Sequence, residues 1–122
     1  MGYTTNFDGK LKFNRQLTLD EKNELDDIAE KDWRDDKSRP DEYAYFCQWV
    51  PTEDGWCLEW DGNEKFYAYV EWLKWLIEKF FTPKEIVLNG EIEWSGEEQG
   101  DIGKIIVKDN IVTTKEGKIV FD

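Results

Sequence analysis

The sequence predicts an α+β fold: a ferredoxin-like β-α-β-β-α-β unit with extra C-terminal antiparallel strands and its helices on one sheet face. Three observations predict it. Apolar residues alternate with polar ones in Tyr3–Phe13 and Ile86–Trp94, the period of half-buried strands. Leu19–Lys31 and Asn63–Phe81 carry apolar residues at helical spacing. Between those helices, Phe46–Val50 and Trp56–Trp60 read as two short aromatic strands joined by the hairpin loop Pro51–Gly55. A chain of 122 residues suits one domain spanning 1–122.

Taken in order, Phe7, Gly9, Leu11 and Phe13 fall on one side of the first strand, and Gly9 suggests a bulge or a close packing contact. Thr18 with Glu21 three residues later forms a capping box, followed by a narrow stripe of Leu19, Leu25, Ile28 and Ala29. Lys31–Glu42 is highly charged, has no clear period and reads as a solvent loop. Trp33 within it has two readings: a ring folded back onto the core, or an exposed anchor for a partner. With Pro51–Gly55 as a five-residue loop, Val50 faces Trp56, Trp49 faces Cys57, and Cys47 faces Glu59. Phe46, Val50, Trp56, Leu58 and Trp60 then share the core face, while Tyr45, Cys47, Trp49, Cys57 and Glu59 share the other.

Asp61–Asn63 offers an N-cap for the main helix, whose stripe is Phe66, Val70, Leu73, Ile77 and Phe80, widened by Trp72, Trp75 and Leu76. Pro83 ends it. Ile86, Leu88, Gly90, Ile92 and Trp94 then share one strand face, and Ser95–Gly100 is a polar turn. Ile102–Lys108 is the next strand and Asp109-Asn110 a tight turn. Ile111–Thr114 and Lys118–Phe121 form a last pair around the turn Lys115–Gly117.

Composition narrows the function classes. The net charge of −12 disfavours direct contact with nucleic-acid phosphates or anionic membranes and fits a basic protein partner. No apolar run reaches the length of a membrane span, and the N-terminus lacks the features of a signal peptide. Asn6 stands where a myristoylation motif wants Ser or Thr. These features lead to an expected cytoplasmic location.

Catalytic chemistry finds little support. Histidine is absent, which removes the usual neutral-pH base, the commonest metal ligand and the Ser-His and Cys-His pairings. Cys47 and Cys57 are too few for a thiolate zinc site. Two free thiols are their first reading, a conditional disulfide the second and a catalytic thiol the last. Glu59, Glu91 and Glu93, with Asp61 nearby, could share the open sheet face for acid–base work or a divalent cation. Carboxylate clusters also arise by chance in so acidic a chain. The loop Glu97–Asp101 lacks the ligand spacing of an EF-hand. No catalytic residue, metal or cofactor is therefore assigned.

Five stretches of sequence stand out together: Met1–Gly9 (MGYTTNFDG), Trp56–Gly62 (WCLEWDG), Lys65–Leu73 (KFYAYVEWL), Leu88–Glu91 (LNGE) with Trp94, and Asp101–Asn110 (DIGKIIVKDN). As a set they resemble a family of small bacteriophage and prophage proteins without an assigned chemistry. Lys84-Glu85 departs from the Gly-Tyr type turn expected there, and Lys31–Glu42 looks variable. The resemblance implies a phage origin and action in the host cytoplasm. The leading expectation is a non-catalytic accessory protein that binds a host macromolecule, such as an anti-defence inhibitor of the anti-CRISPR kind. Its partner would be a host protein with a basic surface. The alternative is a protein that binds or sequesters a nucleotide, with Tyr45 and Trp49 stacking the base. Either partner is expected on the open sheet face, centred on Trp49 with Tyr45, Glu59, Glu91 and Glu93 around it. The competing occupants of that face are the C-terminal strands and a homodimer.

Overall fold

Among the described residues, the fold is two α-helices and a six-stranded, wholly antiparallel sheet. The structure, a computed structural model, describes residues 4–98 and 100–117. The elements follow as β1 (Thr5–Phe13), α1 (Leu19–Glu30), β2 (Trp49–Pro51), β3 (Cys57–Trp60), α2 (Tyr69–Leu76), β4 (Leu88–Gly96), β5 (Ile102–Lys108) and β6 (Ile111–Glu116). The sheet order is β2-β3-β1-β4-β5-β6. The expected strand at Lys118–Phe121 lies outside the described residues. Lys115 and Glu116, expected in a turn, continue β6 instead.

Alternation places the core on one face. Phe7, Leu11 and Phe13 of β1, Leu58 of β3, Leu88, Ile92 and Trp94 of β4, and Ile105 and Val107 of β5 are buried. They join one cluster with Leu25 of α1 and with Trp72, Leu73 and Leu76 of α2. Gly9 and Gly90 are the close contacts between β1 and β4. Both have positive φ, and a Cβ would meet Glu91 O at 2.5 Å from Gly9 and Lys10 O at 2.8 Å from Gly90.

The start of α1 is fixed by its capping box. The Glu21 N–H donates to Thr18 Oγ1 at 3.1 Å, and the Thr18 N–H donates to Glu21 Oε1 at 2.9 Å. Trp33 folds back onto the core, where its indole N–H donates to Ile28 O at 2.9 Å and its ring packs edge-on to Trp72 and Trp75.

The main helix differs from its sequence reading at both ends. Asp61 does not cap it; its carboxylate instead turns the chain by accepting from the Asn63 N–H. Lys65 and Ala68 take left-handed backbone at φ 60 and 56, and α2 begins only at Tyr69. Its far end widens into a π-helical turn at Ile77–Phe81 and a 3-10 turn at Thr82–Lys84. The apolar pattern explains the widening. Trp72-Leu73, Leu76-Ile77 and Phe80-Phe81 recur every four residues. An α-helix turns in about 3.6 residues, so such pairs drift around it, whereas i→i+5 bonding lets the last pair stay on the core. All six side chains are buried.

The largest correction concerns the central hairpin. Trp49 pairs with Trp60, Val50 with Glu59 and Pro51 with Leu58. This register differs by three residues from the expected one, and an odd shift exchanges the two faces of β2. Local hydrogen bonding is the cause. Asp54 Oδ1 accepts from Thr52 Oγ1 at 2.6 Å and from the Trp56 N–H at 3.0 Å, and the Gly55 N–H donates to Thr52 O. The turn therefore closes between Thr52 and Cys57, where the Thr52 N–H donates to Cys57 O at 2.8 Å. Pro51 is a strand residue, tolerated because β2 is an edge. Trp56 leaves the hairpin and its carbonyl accepts from the Phe13 N–H. Trp56 and Phe46, expected in the core, are exposed.

Candidate functional site

Only part of the expected site comes together. Glu59, Glu91 and Glu93 do share the open face of the sheet. Lysines hold them there: Lys10 lies 3.8 Å from Glu59, and Lys104 lies 3.6 Å from Glu91 and 3.9 Å from Glu93. By strand alternation, four carboxylates of that face (Asp8, Glu59, Glu91, Glu93) stand among five lysines (Lys10, Lys12, Lys104, Lys108, Lys115). The open face is thus a charge-balanced lattice rather than an acidic field. Exposed pairs of this kind contribute about 0–1 kcal/mol each to stability.

Trp49 is not on that face. The odd register shift turns it into the core, where it is 0% exposed. Its indole N–H donates to Tyr69 O at 2.8 Å, and its ring centroid lies 5.3 Å from Phe7 and 5.0 Å from Phe66. Tyr45 is not on the sheet at all. It lies in the loop before β2, half-buried, with the guanidinium groups of Arg34 and Arg39 over its ring at 4.9 and 5.6 Å. The expected stacking pair of Tyr45 and Trp49 therefore does not exist.

What the open face does carry is a groove of about 550 Å³ crossing β1, β4, β5 and β6. Its floor is the backbone at Phe7, Trp94, Gly103 and Glu116, and the side chains of Phe7, Trp94 and Glu116 point to the other face. One wall is the row Asp8, Glu93, Lys104 and Lys115; the other is Asn6, Ser95 and Ile102. Gly103 lets the core side of the floor close up, because the Trp94 ring occupies the place of its missing side chain.

A second surface went unread in the sequence. Tyr43, Phe46 and Tyr67 are exposed at 60%, 44% and 41%. With Tyr45, Gln48, Glu64 and Lys65 they line one depression of about 200 Å³. Two segments build it. In the first, the Trp33 N–H donates to Tyr45 O, tying the 43–46 loop to the 33–36 turn. In the second, left-handed Lys65 and Ala68 flank a pair that splits: Phe66 enters the core and Tyr67 points outward. Gln48 joins the segments, donating to Glu64 O at 3.0 Å and accepting from the Trp60 indole at 2.9 Å. Backbone held in an unfavourable region is a feature of functional loops. The readable signal is the run Tyr-Ala-Tyr-Phe directly after Pro40 and two carboxylates, but alternation assigns Phe46 to a core strand.

Half of the protein's net negative charge lies in the segment that leads into this surface. Residues 20–42 hold eleven carboxylates and five cations, a net −6 and half of the total −12. That segment is α1 and the loop leading to Tyr43.

Cys47, Asp54 and Glu97 are tied into the fold. Both cysteines are free; burial pushes the Cys47 thiol up to about 12, so it stays protonated at neutral pH. The Thr52 hydroxyl and the Trp56 N–H hold the Asp54 carboxyl below its ordinary range. Glu97 Oε1 accepts from the Thr4 N–H at 2.8 Å. Among the described residues, no group of three or more His, Cys, Asp or Glu side chains is placed to hold a metal ion, and no helix is long and apolar enough to cross a membrane. No protein-family model, curated protein or solved structure matches the chain.

Proposed function

We propose that the protein is a non-catalytic accessory protein of phage type that binds a basic host protein in the host cytoplasm, as an anti-defence inhibitor of the anti-CRISPR kind would. The observation that carries this reading is the clustering of Tyr43, Phe46 and Tyr67 around one depression at the end of the most acidic segment. Exposed aromatic rings are the commonest anchors of protein interfaces, and surrounding carboxylates steer a basic partner and reject nucleic acid. The anchor is thus this trio, and Trp49 has no part in it. The strand order β2-β3-β1-β4 supports a ferredoxin-like scaffold, extended by β5 and β6.

Affinity capture from a bacterial lysate, with the wild type beside the Tyr43→Ala/Phe46→Ala/Tyr67→Ala variant, tests the reading. Truncating one hot-spot ring costs about 2 kcal/mol or more, about 30-fold in affinity. The expected result is a protein retained at low salt by the wild type, released at high salt, and lost with the variant. Equal retention by the variant, or no enriched protein at either salt, refutes it.

One observation favours the small-ligand alternative: the open-face groove lies within the size range of ligand pockets, with Lys104 and Lys115 side by side on its wall. A rise in melting temperature with nucleotides, unaffected by the triple variant, would select that reading.

A further inference from the structure

The two edges of the sheet are built differently. β2 is three residues long, contains Pro51 and is packed by α1. These are the ordinary protections of an edge strand. β6 is less protected: it contains no proline, its only charged residues are Lys115 and Glu116 at its end, and α2 touches it only slightly. It is six residues long, begins with four β-branched residues (Ile111, Val112, Thr113, Thr114), and is the last strand of the sheet among the described residues. Ile111 at its start is 68% exposed.

The hydrogen-bond phase of β6 specifies what it can accept. The Gly117 N–H donates to Ile102 O. In an antiparallel ladder such pairs alternate, so Lys115, Thr113 and Ile111 also point their backbone groups at β5. The N–H and C=O groups of Val112, Thr114 and Glu116 consequently point outward.

We propose that β6 pairs with β6 of a second copy, antiparallel and centred on Thr114, joining two sheets into one of twelve strands. In this register Thr114 meets Thr114 on a two-fold axis, and Val112 meets Glu116 twice, so all the outward groups find partners. Antiparallel pairing about an axis perpendicular to the sheet keeps both open faces on one side. On that side Thr113 meets Lys115, and Ile111 meets Gly117. No like charges stand opposite each other. The surface is self-complementary, as a two-fold interface requires, and this favours a second copy over an unrelated strand.

Two further observations fit. Ile111 is otherwise an unexplained exposed side chain. Across from Gly117 it lies beside Ile102, whose Cγ1 is 2.7 Å from where a Gly117 Cβ would stand. Lys115, Glu116 and Gly117 line the open-face groove, so Ile111 and Thr113 of the second copy extend it. Charge also permits this edge. α1 packs against β2, five strand spacings or about 24 Å away, which is about three Debye lengths at physiological salt. The acidic segments of two copies joined at β6 are farther apart still. The pairing is independent of the partner-binding reading above.

Light scattering on full-length protein, with charge-swapped variants, tests the proposal. The wild type is expected at twice 14.6 kDa, falling toward 14.6 kDa on dilution, because a strand-edge interface is small. Thr114→Lys and Thr114→Glu place like charges on the axis and are each expected to be monomeric, while their equimolar mixture regains the dimer. Thr114 is exposed, and unchanged circular dichroism verifies the fold of both variants. Oxidised Thr114→Cys gives an independent readout. It is expected to form a covalent dimer that Thr113→Cys does not form, since only directly opposed residues come within disulfide reach. A wild type that stays at 14.6 kDa at high concentration overturns the proposal, as do charge variants that still dimerise, a mixture that stays monomeric, or equal cross-linking at positions 113 and 114.

Discussion

Replacing Trp49 by alanine separates the two roles available to this ring, because they predict effects of different size. An exposed binding ring can be removed with a change within about 0.5 kcal/mol. Trp49 is instead 0% exposed, packs edge-on against Phe7 and Phe66, and donates its indole N–H to Tyr69 O. Emptying such a site costs about 3–5 kcal/mol in transfer and cavity terms. At about 2.1 cal/mol/K per residue, a chain of 122 residues has an unfolding entropy near 0.26 kcal/mol/K. A loss of about 4 kcal/mol therefore lowers the melting temperature by about 15 °C. Scanning calorimetry of Trp49→Ala beside Phe46→Ala measures the difference. Phe46, at 44% exposure, is the control and is expected to move by only a few degrees. A Trp49→Ala shift of under about 2 °C would refute the register and the placement of the core.

Two further substitutions probe the ends of the fold. Glu21 accepts two 2.8 Å hydrogen bonds from Arg15, which hold its carboxyl down to about 2 from an ordinary 4.5. A depressed folded-state value stabilises above the unfolded value, so this contribution is complete above about 4.5 and fades as pH falls to about 2. Urea melts across that window are expected to show a shallower decline for Glu21→Gln, and an unchanged slope would exclude the pair as a cause. Gly103→Ala drives a methyl into the Trp94 ring and puts it 2.5 Å from Lys115 O, and overpacking of this kind costs about 1–3 kcal/mol. A neutral result in the same melts would show that the Trp94 ring does not sit on Gly103.

Local signals in the sequence were legible where one interaction sets the outcome. Thr18 and Glu21 make the capping box that their spacing specified. The alternations of Phe7 to Phe13 and Leu88 to Trp94 placed the core face correctly, because a strand paired on both sides cannot turn over without exposing all of it. Asp109 and Asn110 both adopt left-handed backbone, as a tight hairpin turn demands. The register of the β2–β3 hairpin is not legible in the alternation, because it depends on Asp54, whose carboxylate draws Thr52 and Trp56 into the turn. Counting loop residues cannot reveal that. The late start of α2 was hidden for a similar reason: Lys65 and Ala68 adopt positive φ although neither residue type favours it, so tertiary packing of Phe66 and Tyr69 overrides local preference. The consequence for the site was direct. One odd register shift removed Trp49 from the open face, and the loop before β2 delivered Tyr43 and Phe46 to the surface instead.

The distribution of charge connects the two proposed surfaces. A net charge of −12 spread evenly would oppose self-association over the whole molecule. Here residues 20–42 carry half of it, while the open sheet face is balanced by lysines from β1, β5 and β6. Repulsion is thereby strongest on the β2 side, where the aromatic trio also lies, and β6 is left as the edge at which like molecules can meet. A dimer joined there carries its two aromatic surfaces at opposite ends of a twelve-stranded sheet, about 50 Å apart at about 4.8 Å per strand. Such spacing cannot bring both surfaces onto one small site, but it can engage two copies of a host protein or two sites on a larger assembly. The gain would then come from effective concentration rather than from new contacts. Breaking the dimer at Thr114 is accordingly expected to weaken capture of a multivalent partner while leaving each aromatic surface intact.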